Sequence, residues 1–299
     1  MARKNETGTL TSLRDFVRWG ASEFARAGLH FGHGTDNALD ESFHLVLHAL
    51  KLPADLPAVY MESVLTAGER VAVLKLLRAR VRTRKPAAYL TGEIHFCGLP
   101  FHVDERVLVP RSPIGELIEK HFRPWLLQDP AAVLDLCAGS GCIGIACAHY
   151  FPGARVDLAE IDADALAVCA MNIERHQCGA QVSAVKSDVF SGVQDRRYDL
   201  IVANPPYVPS AEWKTLAAEY HQEPRKALEA GKDGMDVVAR ILAGAPRHLR
   251  DGGVLVCEVG GSVQEFEARW PKLPVTWVEF ERGGDGVFVI SREHLTKAF

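Results

Sequence analysis

The residues of this chain best suited to chemistry are Asn204, Pro205, Pro206 and Tyr207, which directly follow the apolar run DLIVA at 199–203. Two successive prolines cannot continue a central strand, so the chain must leave the sheet here as a stiff loop. A rigid turn would account for the prolines. It would not account for a polar amide and an aromatic ring flanking them at the carboxyl end of a strand, where open α/β sheets bind ligands. The residue types suit a planar NH2 group. The nitrogen lone pair of such a group is delocalised, and its neutral N–H is too weakly acidic for a general base to help much. Two fixed acceptors, the Asn204 side-chain oxygen and the Pro205 carbonyl, can instead hold both N–H bonds and aim the lone pair at an electrophilic carbon. Tyr207 can lie against the planar group or offer a π-face to a nearby cation. Alignment of two bound reactants supplies roughly 7–11 kcal/mol of such a barrier.

A second set of residues reads as a ligand cradle. Gly139, Gly141 and Gly144 satisfy G-x-G-x-x-G between a strand and a helix, a pattern shared by many nucleotide-binding folds. Glu160 ends the next strand, about twenty residues on, where a carboxylate can bind two ribose hydroxyls. A nicotinamide-dependent oxidoreductase would show the same features. Asp135 separates the two readings: an acid four residues before Gly139 suits a ligand bearing an ammonium group, such as the methionine end of S-adenosylmethionine, better than a pyrophosphate. The expected cradle is Asp135, the turn of Cys137, Ala138, Gly139, Ser140 and Gly141, Glu160, and Asp188 as an acceptor for the adenine amino group, with Asn204 at its border. The plainer readings are a turn or helix cap for Asp135 and a solvated loop acid for Asp188.

These residues need a frame. From 131 onward the chain alternates strands and helices, with strands expected at 132–136, 154–160, 182–185, 198–203, 254–259, 275–280 and 286–290. Such alternation implies a mostly parallel sheet covered by helices on both faces. The last two strands are joined by ERGGDG, too short for a helix, so they should pair antiparallel. Residues 1 to about 85 read as helical, with helices starting at Thr11 or Ser12, spanning about 37–50, and spanning about 67–83. The stretch 87–109 alternates and breaks at Gly98-Leu99-Pro100, as a β-hairpin would. A further helix is expected over about 113–126. The division is 1–85 as a helical substrate-recognition domain, 86–110 as a hairpin linker and 111–299 as the catalytic domain.

With 47% apolar and 24% charged residues and a net charge of -4, the chain is an ordinary globular one, not built to hold nucleic acid by bulk electrostatics. Seven cysteines with no C-x-x-C pair suit a reducing compartment without disulfides or zinc. His44 and His48 lack a third ligand, so no metal is expected. The opening residues carry no secretory core, and the apolar run 131–148 is broken by Asp135 and glycines, so the expected location is the cytoplasm, off any membrane. The basic run RARVRTRK at 78–85 reads as a solvated helix end complementing the helix dipole, with incidental RNA contact as its alternative.

Taken together, the chain resembles the protein-(glutamine-N5) methyltransferases that act on bacterial translation proteins. The likeness covers nearly the whole chain: PAAYLTGEIHFCGLPFHVDERVLVPR, VLDLCAGSGCIGIACA, SDVF, NPPYV, EPRKALEAGKDG and GGVLVCEVG. It implies the class I S-adenosylmethionine methyltransferase fold, a seven-stranded, mostly parallel sheet, with a small helical N-terminal domain. It also implies S-adenosyl-L-methionine as cofactor, Asn204 to Tyr207 as the amide-binding loop, and residues 137–141 with Glu160 as the cofactor site. The release-factor branch usually carries R-P-D-T-E after the hairpin. Arg111-Ser112-Pro113-Ile114-Gly115-Glu116-Leu117 is instead similar to the branch that methylates a glutamine of large-subunit ribosomal protein L three. The family usually has Asp where this chain has Glu160. Against this reading stand a release-factor enzyme, an N6-adenine nucleic-acid methyltransferase, which would need a more basic, aromatic recognition region, and a cofactor-binding module without catalysis.

Overall fold

The computed structural model describes residues 6–299, so the first five residues of the expected helical domain lie outside it. The chain folds as two units, one of residues up to Glu93 together with Ala217–Gln222, the other of Ile94–Leu216 and Glu223–Phe299.

The first unit is helical because its sequence supplies caps and apolar stripes. Helix α1 (Leu13–Arg26) starts at a capping box in which Ser12 and Asp15 satisfy each other's backbone N–H groups. Helix α2 (Ala38–Leu50) is capped by Asn37, and α3 (Ala67–Thr83) by a second capping box, Thr66 with Glu69. Their inward stripes form one core containing Leu13, Phe16, Phe24, Leu45, Val73 and Leu77. Arg80 of α3 is fully buried, its Nε donating to Glu41 Oε1 at 2.7 Å and its Nη1 to Glu219 Oε1 at 3.4 Å. Arg84 reaches the same Glu219 oxygen at 2.9 Å. Ala217–Gln222 therefore belongs with the helices, although the sequence assigns it to the catalytic stretch.

The expected hairpin over 87–109 is shorter. Ala87–Thr91 is a helical turn, α4, ended by Gly92 in the left-handed region (φ 73°), and only then do β1 (Glu93–Phe96) and β2 (Leu99–His102) pair. The helix expected over 113–126 also stops early. Helix α5 (Ile114–Glu119) ends because His121 and Phe122 take positive φ and the Phe122 N–H turns back to the Leu117 carbonyl at 2.7 Å.

The rest of the second unit is a seven-stranded sheet of β3 (Ala132–Leu136), β4 (Arg155–Glu160), β5 (Val182–Lys186), β6 (Tyr198–Ala203), β7 (Leu249–Glu258), β8 (Thr276–Trp277) and β9 (Val287–Ser291), in the order β5-β4-β3-β6-β7-β9-β8. The first five pair in parallel, and β9 runs antiparallel to both its neighbours. This is the seven-stranded, mostly parallel sheet expected from the sequence, although β8 is cut to two residues. Alternate residues feed two cores. Val133, Leu158, Val202 and Val256 pack on one face with α5 and α6 (Cys142–Tyr150), and Leu134, Ala159, Ile201 and Leu255 pack on the other with α9 (Asp236–His248). Helix α7 (Ala163–Arg175) crosses from β4 to β5, and the short α8 (Ser210–Trp213) follows β6. No helix among the described residues is long and apolar enough to cross a membrane.

Candidate active site

The register of the sheet decides where the chemistry-bearing loops meet. Leu136 is paired with Ala159 on one side and with Ala203 on the other. The glycine turn, Glu160 and Asn204 therefore all begin one residue beyond a shared row, at the carboxyl edge of β3, β4 and β6. Chain order reverses at β3, between β4 and β6, which is where open α/β sheets hold ligands.

The turn after β3 is strained and well fastened. Cys137 has φ 60°, and Gly139 and Gly141 have φ 55° and 80°. The Gly141 N–H donates to the Ala138 carbonyl at 2.7 Å, and Asn172 of α7 donates to the Ser140 carbonyl at 2.9 Å. Two of the motif glycines have different jobs. A Cβ on Gly139 would meet nothing within 4 Å, leaving that side open to a ligand. On Gly144 it would lie 2.1 Å from Leu158 Cδ2, so that glycine lets α6 settle on β4.

Asp135 lies beneath this turn and is almost fully buried. Its Oδ2 accepts the Gly144 N–H at 2.8 Å, while Oδ1 is enclosed without any hydrogen-bond partner. Burial, together with the nearby Glu160 charge and against the Gly144 hydrogen bond, pushes its pKa up to about 7. A buried carboxylate oxygen with no donor calls for a cation or an N–H from elsewhere. Glu160 accepts the Gly139 N–H through Oε2 and the Asp162 N–H through Oε1, both at 2.9 Å. It thereby braces the turn, and burial raises its pKa too. Asp188 is exposed, and its carboxylate pairs with Arg240 of α9 at 2.8 Å, the bond that holds its pKa down.

Asn204 shows the same signature as Asp135: its side-chain Oδ1 is buried and unpartnered. The corner that follows is bolted in place. The Tyr207 carbonyl accepts from Ser262 Oγ at 2.9 Å, and the Val208 N–H donates to the Leu228 carbonyl at 2.8 Å. A Cβ on Gly234 would lie 2.0 Å from the Tyr207 carbonyl oxygen. The Tyr207 hydroxyl donates to Glu258 Oε1 at 3.0 Å, which pushes the phenol, already raised by burial, well above its usual range.

Sequence reasoning missed the residues that hold the corner. Glu258 ends β7, and Ser112 donates to its other oxygen at 2.5 Å. Glu223, the first residue of the EPRKALEAGKDG stretch, accepts from the Val109 N–H and grips Arg111 bidentately at 2.7 and 2.8 Å. An acid closing the apolar run VLVCE was the available signal for Glu258. Burial raises the thiol pKa of the cysteines nearest the site, Cys137, Cys142 and Cys169. Among the described residues no group of three or more His, Cys, Asp or Glu side chains is arranged to hold a metal.

The arrangement thus offers two orphaned acceptors, one acidic and one amide, at neighbouring strand ends beside an open glycine turn. Comparison with known proteins gives the family. The family model described as "Methyltransferase small domain" matches residues 120–231. A "Ribosomal protein uL3 glutamine methyltransferase" of Xylella fastidiosa is 50% identical over 287 residues, covering 96% of this chain and 92% of the relative. One of Francisella tularensis with the same name is 43% identical over 290 residues, with the same coverage of 96% and 92%. A solved methyltransferase from Pyrococcus furiosus overlaps 65% of this chain and 89% of its own at 22% identity, with a TM-score of 0.47.

Proposed function

From the premise that this chain belongs to the ribosomal protein uL3 glutamine methyltransferases, we propose that it methylates the side-chain N5 of a glutamine in that ribosomal protein, with S-adenosylmethionine as methyl donor. The donor supplies a methyl carbon made electrophilic by its sulfonium. The chain's own residues do the rest. Asp135 Oδ1, buried and lacking a donor, receives the ammonium of the methionine end. Glu160 takes the ribose hydroxyls with the lone pairs left after its two backbone bonds. Asp188, at the rim, takes the adenine amino group.

Asn204 Oδ1 and the Pro205 carbonyl accept the two N–H bonds of the glutamine amide. This fixes the plane of the amide and turns its nitrogen toward the methyl carbon. Bound there, the cofactor would give its methyl to that nitrogen with the C–S electron pair left on sulfur, and the amide would lose one proton to solvent. The two acceptors would stabilise the positive charge that develops on the N–H bonds, which is where fixed dipoles help most.

The observation that carries this reading is the buried, unpartnered Oδ1 of Asn204, one residue past the strand pair that also launches the glycine turn. The test is transfer of labelled methyl from S-adenosylmethionine to purified uL3, with the modified glutamine located by mass spectrometry. Asn204→Ala should abolish transfer and leave cofactor affinity nearly unchanged. Equal labelling of release factors, labelling of DNA instead, or turnover retained by Asn204→Ala would overturn the assignment.

A further inference from the structure

Glu258 is buried at the end of β7, one residue past the Ala203–Cys257 pair, and so beside the start of the reaction loop. Its two oxygens accept hydrogen bonds from hydroxyls, Tyr207 on Oε1 and Ser112 on Oε2, and among the described residues no cation hydrogen-bonds to it, although the Arg111 charge lies near enough to attract it. A buried carboxyl held only by hydroxyls adds little to stability, because an apolar side chain of similar size would avoid the cost of desolvation. What a carboxyl adds here is direction.

Resting on the methyl-transfer reading above, we infer that Glu258 is a positioning residue: it fixes the Tyr207 ring and, through it, the placement of the Asn204 and Pro205 acceptors. Two features transmit the hold. The Tyr207 ring packs against Gly260, where a Cβ would lie 2.6 Å from Cε2, so the ring has no room to swing on that side. Between Tyr207 and Asn204 stand two prolines whose φ angles are fixed, which leaves few backbone torsions to absorb a shift of the ring. With its hydroxyl committed to Glu258, Tyr207 acts as the anchor of the corner. Ser112, in the segment that follows the hairpin, completes the clamp from the far side.

The experiment compares Tyr207→Phe, Glu258→Ala, Glu258→Gln and the double variant Tyr207→Phe/Glu258→Ala in the full-length chain, with purified uL3 and S-adenosylmethionine. Tyr207→Phe and Glu258→Ala should each lower kcat about 10- to 100-fold, since misplacement by about 1 Å can cost that much. Affinity for S-adenosylhomocysteine should stay within about 2-fold, which separates loss of positioning from loss of fold. The double variant should be no worse than Glu258→Ala alone, because both changes cut the same bond. Glu258→Gln should keep most of the activity, its carbonyl accepting from Tyr207 and its amide N–H meeting Ser112 Oγ. Hydrogen exchange supplies a readout free of substrate: Glu258→Ala should speed exchange at the amides of Asn204, Tyr207 and Val208 and leave β6 unchanged. Losses that multiply in the double variant, wild-type turnover in Tyr207→Phe, Glu258→Gln as poor as Glu258→Ala, or unaltered exchange at those three amides would overturn the inference. Should the wild type fail to methylate uL3, the exchange result still decides the role of Glu258 while the substrate assignment falls separately.

Discussion

Replacing Asp135 by Asn tests the cofactor site most directly. The carboxyl of Asp135 sits at about 7, raised from 3.8 chiefly by burial, so its ionised form costs the fold roughly 4 kcal/mol. The sign follows from linkage. Below pH 3.8 the group is protonated folded and unfolded, and stability is greatest. As pH climbs from 3.8 to about 7 the unfolded chain ionises first and stability falls; above 7 there is no further loss. Asp135→Asn removes that loss but leaves an amide N–H where Oδ1 had no partner, at a cost of about 1–3 kcal/mol. The variant should therefore unfold later than wild type by about 1–3 kcal/mol at about pH 8, and slightly earlier at about pH 5. Binding should change in the opposite direction. Loss of a charge-assisted bond to the ligand ammonium should weaken S-adenosylhomocysteine binding about 10- to 100-fold at about pH 8. Wild-type affinity should also fall up to about tenfold per pH unit below about 7, because the carboxyl must then give up a proton. Calorimetry in two buffers of different ionisation enthalpy, with thermal unfolding alongside, measures both effects. An Asp135→Asn chain that binds as wild type does, or that keeps the same pH slope, would refute the ammonium assignment. One that is not stabilised in the alkaline buffer would refute the buried charge.

Other perturbations address separate parts of the site and frame. Gly144→Ala drives a methyl to 2.1 Å from Leu158 Cδ2 in a packed core. It should lower stability by about 1–3 kcal/mol and weaken S-adenosylhomocysteine binding through the displaced turn, as checked by denaturation and titration. Asp188→Ala should weaken the same ligand about 3- to 10-fold, the worth of one hydrogen bond, and leave kcat at saturating cofactor unchanged; an unaltered Kd would remove Asp188 from the site. Arg80→Met should destabilise the helical unit by about 3–5 kcal/mol, because Glu41 and Glu219 would remain buried without it; an unchanged unfolding midpoint would refute the buried ion pair.

Local chemistry made much of this molecule legible in its sequence. Ser12, Asn37 and Thr66 announce three helix starts by side-chain capping, and the 67–83 helix is found where its apolar spacing puts it. Alternation located the parallel strands, and the double proline marked the corner beside them. Where local signals ran out, partners distant in the chain had decided the outcome. Nothing in the pattern over 113–126 reveals that His121 and Phe122 turn left-handed. Spacing could not show that Glu219 joins Arg80, 139 residues earlier, or that Glu258 meets Tyr207 across 51. Periodicity reports which face a side chain takes, not which remote group it finds there. The roles proposed for Asp135 and Asn204 rest on residue type and place, and the coordinates add that each keeps one buried oxygen without a partner.

Strand β9 lies between β7 and β8, although both precede it in the chain. Until residues 287–291 emerge, β7 presents an open, apolar edge from Val254 to Glu258, the row that β9 later covers. Closure of the sheet is thus a late event in synthesis, and a nascent chain stalled ahead of Val287 would offer that edge to any strand nearby. The same row ends in Glu258, so the last strand to arrive also seals the backbone of the residue whose carboxyl takes the Tyr207 hydroxyl.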